Sequence, residues 1–434
     1  MESLRFVRML QQLKIRSNYE RIELILSTLL AGTLLINQKI VIVLILALLL
    51  NAIYGGIKQG FQVPNRLFWP FILLFFAYLI GLIFTKNFDY GGKDIETRLT
   101  FLLFPLVYGV VKRKHSPQLS WLYWAFMCGA LVYMVLCWYH ASLCAMVERP
   151  RFCYESSKLA VWMHPTYAAL YLIAGSVFIF VDAFQRKRMY GLKITAFFLA
   201  IVSFYFVYQL YSLGPWIGFV VMIACLGFAF FYKRKQLTYF FGAMVLMAGV
   251  SFFAIKNLDL LRSDYDAVTA ELKAYSADRE AYIEANQNNT ESVKARLIIW
   301  NTSIDFVLEH PFGVGTGDRK DELRDYYRAQ GMDTFANKEL NPHSQYLQTA
   351  MSIGIVSSLF LIFSLFYYCL KGFKNAYYPL IALVSLFATA SLFESILERQ
   401  WGILFFMFFL SVFTLDLLQK NEEKRTEMAE SVEH

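Results

Sequence analysis

The sequence predicts an all-α, polytopic membrane protein: a transmembrane helical bundle of about 12 spans with one long, partly helical external loop. The 434 residues are 57% hydrophobic and only 17% charged, whereas roughly a quarter of the residues in soluble domains are charged. The apolar residues fall in blocks close to the ~20 residues that a bilayer-spanning helix needs. Composition and block length together therefore predict a chain that crosses a membrane many times.

Twelve apolar segments are predicted to cross the membrane. Nine spans occupy residues 1–255, a long polar loop occupies 256–343, three spans occupy 344–418, and residues 419–434 form a tail. The predicted spans are 22–36, 40–55, 67–84, 98–111, 119–141, 164–183, 194–211, 215–232, 237–255, 344–370, 377–393 and 400–418.

Positive charge is distributed unevenly between the two sets of connecting segments. The set that includes both termini holds 22 basic residues, among them Arg5, Arg8, Lys14, 112–114 and 186–188, whereas the short loops of the other set hold eight. Since basic residues mark the cytoplasmic side, both termini are predicted to be cytoplasmic and the long loop external. The net charge of +8 is then explained by topology and anionic membrane lipid, and no nucleic-acid partner is predicted.

The six cysteines show no metal-ligand spacing, so no metal or other cofactor is predicted. Most of them lie inside predicted spans. Cys144 and Cys153 could meet outside the membrane, but buried thiols are the preferred interpretation.

The long loop is predicted to contain two helices, over Asp264–Asn286 and over Ser292–His310, where apolar residues recur every three to four positions. The following stretch GVGTGD, 313–318, lacks the Gly-Lys-Ser/Thr ending of a phosphate loop. A flexible turn that lets the loop fold back over the membrane is therefore predicted, rather than a nucleotide site.

His343 directly follows Asn341-Pro342 at the start of the tenth predicted span. Asn341 can cap the helix and Pro342 suits its first turn, so His343 is predicted within that turn. The positive helix end disfavours imidazolium and attracts anions, and a neutral ring can act as a general base. The alternative is an interfacial histidine that only satisfies a loop carbonyl.

Three arginines are candidates for binding a phosphate group. Arg296 lies on the amphipathic loop helix, one turn before Trp300, and a guanidinium can stabilise a leaving pyrophosphate. Arg149 and Arg151 flank Pro150 near the external surface. The alternatives are an arginine that solvates the polar face of a helix and arginines that contact lipid headgroups.

Three further ionisable residues lie at predicted span ends: His164, Glu394 and Arg399. Ionisable groups at membrane depth are costly and usually functional. Glu394 or Glu398 could form an ion pair with Arg399 or with a loop arginine, and His164 could line the same external cavity or only cap its helix. A structural role is the favoured alternative for each.

Two segments, RLIIWNTSIDFVLEHPFGVGTGD and NPHSQYLQTAMSIGIVSS, resemble the signature region of the O-antigen ligase and O-antigen polymerase superfamily. Members show an arginine on a loop helix, a His-Pro-x-Gly turn, and His-Asn/Ser-x-x-Leu before a span that ends in Gly-Ile. HPTYAALYL and FESILERQWGILFF are similar to segments of one bacterial branch.

The resemblance implies an enzyme of the bacterial inner membrane with a periplasmic active site. Such enzymes move a glycan from undecaprenyl pyrophosphate to a hydroxyl acceptor without metal or nucleotide: lipid A-core for a ligase, another repeat unit for a polymerase, or a protein for an O-oligosaccharyltransferase. His343 corresponds to the base that activates the acceptor, and Arg296 to the arginine that binds the diphosphate.

One departure from the family concerns a Ser-Arg-Gly type turn between two central spans, which here reads YSLGPWIG with Leu213 at the arginine position. Arg149, Arg151 or Arg399 would have to supply the missing charge, or the donor is held differently. A transporter or flippase of anionic solutes is the alternative from another class. It is disfavoured because paired broken helices are not apparent in the sequence.

Overall fold

The computed structural model describes residues 16–185, 190–257, 259–290 and 292–433. Every regular element within these ranges is helical, apart from one β-bridge between Phe61 and Val111, which confirms the predicted all-α class. Arg5, Arg8, Lys14 and residues 186–188, on which part of the topology prediction rests, lie outside the described residues.

Twenty-one α-helices are described, and they are numbered here in chain order. Those before the long loop are α1 (Asn18–Thr33), α2 (Gln38–Gln59), α3 (Trp69–Gly81), α4 (Phe88–Arg98), α5 (Thr100–Gly109), α6 (Leu119–Cys144), α7 (Pro150–Cys153), α8 (Ser156–Leu159), α9 (Pro165–Gln185), α10 (Tyr190–Gln209), α11 (Leu213–Lys233) and α12 (Leu237–Asn257). The loop contains α13 (Asp259–Ala277), α14 (Arg279–Asn286), α15 (Ser292–Glu309), α16 (Arg319–Ala329) and α17 (Asp333–Asn337). The last part contains α18 (Gln345–Ile353), α19 (Ile355–Asn375), α20 (Tyr378–Ala390) and α21 (Gln400–Glu433).

Eight of the described helical segments are long and apolar enough to cross a membrane. They are Gln38–Gln59, Arg66–Phe84, Leu119–Cys144, Pro165–Phe184, Tyr190–Gln209, Leu213–Lys233, Ile355–Asn375 and Gln400–Glu430. The other four predicted spans correspond to the shorter helices α1, α5 and α20 and to α12, in which the described apolar part is Leu237–Gly249. Helix α5 has 10 residues and contains Pro105, so at 1.5 Å per residue it is about half the length of a bilayer core.

The tenth predicted span, 344–370, is not continuous, because Gly354 separates α18 from α19. Gly354 has φ = +89°, and a Cβ added there would lie 2.9 Å from the carbonyl carbon of Phe312. The prediction of one uninterrupted helix is therefore wrong. The break is caused by the close approach of the loop backbone, which hydropathy does not register.

The glycine-rich turn at 313–317 supplies that close approach. The backbone N–H groups of Val314 and Gly315 donate to the carbonyls of Met351 (2.9 Å) and Ser352 (3.1 Å), and that of Thr316 donates to Gly81 (3.3 Å). The loop thus folds back against the bundle as predicted. The turn is fixed by hydrogen bonds to two helices, so the predicted flexibility is wrong.

The predicted loop helix over Asp264–Asn286 is also interrupted, since Asp278 ends α13 and its side chain caps α14 by accepting from the N–H of Ala281 (3.0 Å). Helix α15, by contrast, begins and ends within one residue of the predicted Ser292–His310. Helices α15 to α18 share a second apolar core that includes Ile299, Tyr327 and Met351. The long loop is therefore a packed helical layer on one end of the bundle.

Helix α21 occupies the centre of the bundle, and 89% of its apolar, membrane-spanning part is buried. Phe405 stacks on Tyr171 of α9 with ring centroids 4.2 Å apart, and Phe409 packs edge-on against Phe126 of α6. Because α21 begins at Gln400, the backbone at Arg399 is anchored by the most buried of the eight described spanning segments.

The two ends of the bundle differ in their polar contacts. At one end, Glu20 accepts from the backbone N–H groups of Lys114 and His115, and Ser116 donates to Asp416 (3.1 Å). The other end of the bundle is the one where α3 terminates. There Asp318 accepts from the backbone N–H groups of Lys86 and Asn87. The basic segment 112–114 and the long loop therefore lie at opposite ends, as the charge distribution predicts.

Replacing Gly354 with alanine should destabilise the protein by about 1–3 kcal/mol, because a Cβ at positive φ is strained and collides with backbone. Thermal unfolding of the detergent-purified protein measures the loss. Gly242→Ala is the control, since a Cβ at Gly242 meets nothing within 4 Å. Equal melting temperatures for the two variants would contradict the assigned role of Gly354.

Candidate active site

The loop end of the bundle places His343 in an unusual backbone conformation. Its φ is +42°, which is uncommon for a residue with a side chain and occurs mainly where surrounding structure fixes it. The backbone N–H of His343 donates to Oδ1 of Asn341 (3.0 Å), and helix α18 starts only at Gln345 after Ser344. The prediction that Asn341 caps the helix and that His343 lies in its first turn is therefore wrong.

Asn341 instead closes a local turn, a competing use of short polar side chains that sequence spacing does not distinguish from a cap. This turn brings the imidazole against Glu394, which lies after α20. Nδ1 of His343 is 3.4 Å from Oε2 of Glu394, and the two side chains are 30% and 13% exposed. We call His343 and Glu394 the histidine–glutamate pair.

Glu394 is ionised at neutral pH. Burial raises its pKa, but the hydrogen bond with His343, the charges of His343 and His164, and the N–H of Ser395 together bring that pKa below its ordinary value. An ionised carboxylate favours the tautomer with a proton on Nδ1. Nε2 of His343 then carries a lone pair that can accept a proton from a hydroxyl group.

His164 joins this pair from the start of α9. Its titration is influenced by Glu394, Arg399 and His343, and its Nδ1 accepts from the N–H of Thr166 (3.4 Å). Desolvation lowers the pKa of His164, and the positive charges of Arg399 and His343 lower it further, against the opposing effect of Glu394. Four of the predicted site residues thus lie together.

Because its pKa lies below 6.5, His164 is neutral near pH 7. If the neutral imidazole supports glycan transfer, the transfer rate should fall only as the pH falls through that lowered pKa. His164→Gln, which keeps a neutral hydrogen-bonding group, should retain transfer within about fivefold, whereas His164→Ala should lose roughly tenfold or more. Transfer rates of the two variants between pH 5 and 8 test this. His140→Gln is the matched control, since His140 is exposed on α6; equal losses in glutamine and alanine variants would contradict the role.

The turn that carries Leu213 borders the same site. Ser212 and Thr166 share a hydrogen bond of 3.0 Å, and a Cβ built on Gly214 would lie 3.3 Å from Cβ of Phe393. Leu213 itself is 63% exposed. The position where an arginine was expected therefore lies beside the site, and a leucine occupies it.

Arg151 lies near this turn but is already paired. Its Nε is 3.0 Å from Oε1 of Glu155, and the hydroxyl of Tyr211 donates to the same oxygen (3.4 Å). Arg149 is exposed. A disulfide joins Cys144 to Cys153 across this segment, so the preferred prediction of buried thiols is wrong for these two cysteines.

Arg296 lies on α15 and is partly buried. One turn further along, Trp300 packs against Phe393 with ring centroids 6.0 Å apart, and Phe393 adjoins Glu394. Among the described residues the guanidinium of Arg296 has no hydrogen bond or ion pair, so it is available for a ligand. The structure places its helix beside the site without a direct contact between Arg296 and His343.

A cavity of about 260 Å³ lies next to the histidine–glutamate pair, between α16 and the residues around Asn341 and Arg399. We call it the basic pocket. Its charged lining residues are Arg319, Lys320, Arg324, Lys338, Glu339, Glu398 and Arg399. Basic groups outnumber acidic ones there, so the pocket is suited to an anion.

Arg319 is a buried component of this pocket that sequence reasoning did not single out. Its guanidinium is 4% exposed and lies 2.5 Å from Oε1 of Glu398, and it also donates to the hydroxyl of Tyr90 (3.3 Å). The expected pairing of a loop arginine with a glutamate beside Arg399 is thus observed for Glu398, whereas Glu394 faces His343. The only sequence signal for Arg319 was its place directly after the glycine-rich turn.

The fold and site define an integral membrane protein with a histidine–carboxylate pair and a basic pocket at one end of its helical bundle. Residues 198–363 match the sequence model of the family described as O-antigen ligase, and this confirms the superfamily that the motifs predicted. Members of that family are glycosyltransferase-type ligases and polymerases, which supports a membrane enzyme of that type. The matched range contains Leu213, Arg296 and His343. Comparison with curated proteins gives no match.

Proposed function

We propose that the protein is an O-antigen ligase that moves a glycan from undecaprenyl pyrophosphate to a hydroxyl group of lipid A-core. The observation that carries this proposal is the histidine–glutamate pair beside a basic pocket. A glycan transfer without metal needs a base for the acceptor and positive charge for the leaving diphosphate. The histidine–glutamate pair supports the first requirement, and the guanidinium of Arg296, which has no partner among the described residues, supports the second.

In the proposed step, Nε2 of His343 removes the proton of the acceptor hydroxyl while its oxygen attacks the anomeric carbon of the donor sugar. The bond from that carbon to the diphosphate oxygen breaks, and its electron pair leaves with undecaprenyl pyrophosphate. Glu394 stabilises the imidazolium that forms. Attack in line with the leaving group inverts the anomeric configuration, and binding both substrates at the membrane surface supplies proximity.

Arg296 is proposed to bind the diphosphate, since its guanidinium has no partner among the described residues and lies on a helix that packs beside Glu394. Leu213 cannot contribute charge, so Arg296 is proposed to bind the diphosphate without an arginine from that turn, and Arg399 belongs to the basic pocket that it lines. Arg151 is held by Glu155 near the same turn, and Arg149 is exposed nearby. These two arginines are proposed to contact the donor headgroup or membrane lipid.

The site is proposed to face the periplasm of the bacterial inner membrane, with both termini cytoplasmic. Two observations support this orientation. Disulfides persist in oxidising compartments, and the Cys144–Cys153 bond lies in the segment that leads to His164. The basic residues 112–114 lie at the opposite end, which is expected to face the cytoplasm.

Deleting the gene and separating the lipopolysaccharide on a gel tests the function. A lost ladder with accumulated lipid-linked polymer indicates a ligase, and core carrying a single repeat indicates a polymerase. Unchanged lipopolysaccharide with lost protein glycosylation indicates a protein O-oligosaccharyltransferase. Unchanged glycans of every kind would contradict the proposal.

A further inference from the structure

We infer that the basic pocket binds an anionic substituent, a phosphate or a carboxylate, on the acceptor glycan. The inference rests on the proposed function, because it assigns to that reaction a subsite for recognising the acceptor. It is supported by positive charge in the pocket that no acidic side chain among the described residues neutralises.

Most cations of the pocket are oriented by acidic partners. Arg319 is paired with Glu398, and Nζ of Lys320 lies 2.5 Å from Oε2 of Glu339. Arg324 is held by Asp321 at 3.0 Å. These carboxylates fix the geometry of the three cations and cancel most of their charge.

Two cations remain without an acidic partner among the described residues. Nζ of Lys338 donates only to the hydroxyl of Thr290 (3.1 Å), and the guanidinium of Arg399 has neither a hydrogen bond nor an ion pair within the described part of the chain. Both line the cavity. A ligand carrying one or two negative charges would complete the pocket, and charge-assisted hydrogen bonds of this kind are strong.

The pocket lies outside the membrane-spanning helices, which favours a group on the glycan as its ligand rather than the donor's diphosphate. Its lining comes from α4, α16, residues 338–341 and residues 398–399, and none of these belongs to a helix long and apolar enough to cross a membrane. The diphosphate must stay where its polyprenyl tail enters the bilayer. A pocket built outside the spans is suited to a charged group on the water side.

The position of the base favours the acceptor as the molecule that carries this group. Asn341 lines the pocket, and its side chain accepts the backbone N–H of His343, so one residue connects the pocket to the base. In an in-line displacement the leaving diphosphate departs from the side of the anomeric carbon opposite the attacking hydroxyl and its base. A pocket beside His343 therefore lies on the acceptor side.

Binding of small probes to the full chain in nanodiscs tests the inference. Glucose 6-phosphate and glucuronate should bind, glucose should not, and binding should weaken with added salt. Lys338→Gln should weaken glucose 6-phosphate binding about tenfold, while Lys338→Arg should retain it. Lys86→Gln is the matched control, because Lys86 is an exposed lysine on the same face, outside the pocket.

Equal binding of glucose and glucose 6-phosphate, or no effect of Lys338→Gln, would overturn the inference. Competition with undecaprenyl pyrophosphate separates the two sources of phosphate. Simultaneous binding supports the acceptor subsite, whereas displacement of glucose 6-phosphate would assign the pocket to the donor and overturn it. His343→Ala should still bind the probe, so a failure of the proposed reaction is distinguishable from a failure of the subsite.

Discussion

Replacing His343 with alanine is expected to lower the rate of glycan transfer by roughly 10²–10⁴-fold, the range typical of a lost general base. The imidazole is the group whose Nε2 can take the hydroxyl proton, since Glu394 holds its Nδ1. Donor binding should be little changed, because the alanine variant keeps the arginines. A reconstituted assay with lipid-linked donor and purified acceptor measures transfer and donor binding separately.

The matched control is His115→Ala at the opposite end of the bundle. The backbone N–H of His115 donates to Glu20 (3.0 Å), so removing its side chain leaves that bond intact and transfer unchanged. A purely structural His343 would lower the melting temperature and donor binding together with transfer. Wild-type transfer by His343→Ala would remove the proposed base.

Replacing Arg319 with methionine is expected to have the largest effect on stability, about 3–5 kcal/mol, because it leaves the carboxylate of Glu398 buried without its partner. The pair joins α16 of the loop to the segment directly before Arg399. Its loss should therefore also reduce transfer. Thermal unfolding and transfer assays on the purified variant measure the two effects.

Arg328→Met provides the comparison on the same helix. Arg328 pairs with Asp325 at 3.2 Å, but both side chains are more than half exposed, and such pairs contribute about 0–1 kcal/mol. The double replacement Arg319→Leu with Glu398→Leu should recover much of the stability, since a well-packed apolar pair can replace a buried ion pair. If Arg319→Met unfolded at the same temperature as Arg328→Met, the assigned role of the buried pair would be wrong.

The sequence predicted the general position of the site from topology. Antiparallel spans joined by short loops bring His164, Glu394 and Arg399 to the same end, and the long loop between the ninth and tenth predicted spans brings His343 there as well. Their meeting therefore follows from span order and charge bias alone. The superfamily motif added the expected roles of His343 and Arg296, which stay predictions.

Contacts that depend on the fold of the loop could not be predicted. Arg319 and Glu398 are 79 residues apart in the chain, and their pairing requires the glycine-rich turn to dock on α18. The break at Gly354 lies inside a continuous apolar run. A hydropathy pattern does not show that the backbone of Phe312 packs closely against this glycine. The turn made by Asn341 uses the same side chain that a helix cap would use, so residue type alone favoured the wrong alternative.

The most direct test of the central claim is a double-mutant cycle of transfer rates between His343 and Glu394. If the carboxylate acts only by holding and stabilising the imidazole, Glu394→Gln should slow the wild-type enzyme but have no further effect once His343 is alanine. The predicted result is a double variant as slow as His343→Ala alone. Losses that multiply independently in the double variant would contradict the histidine–glutamate pair.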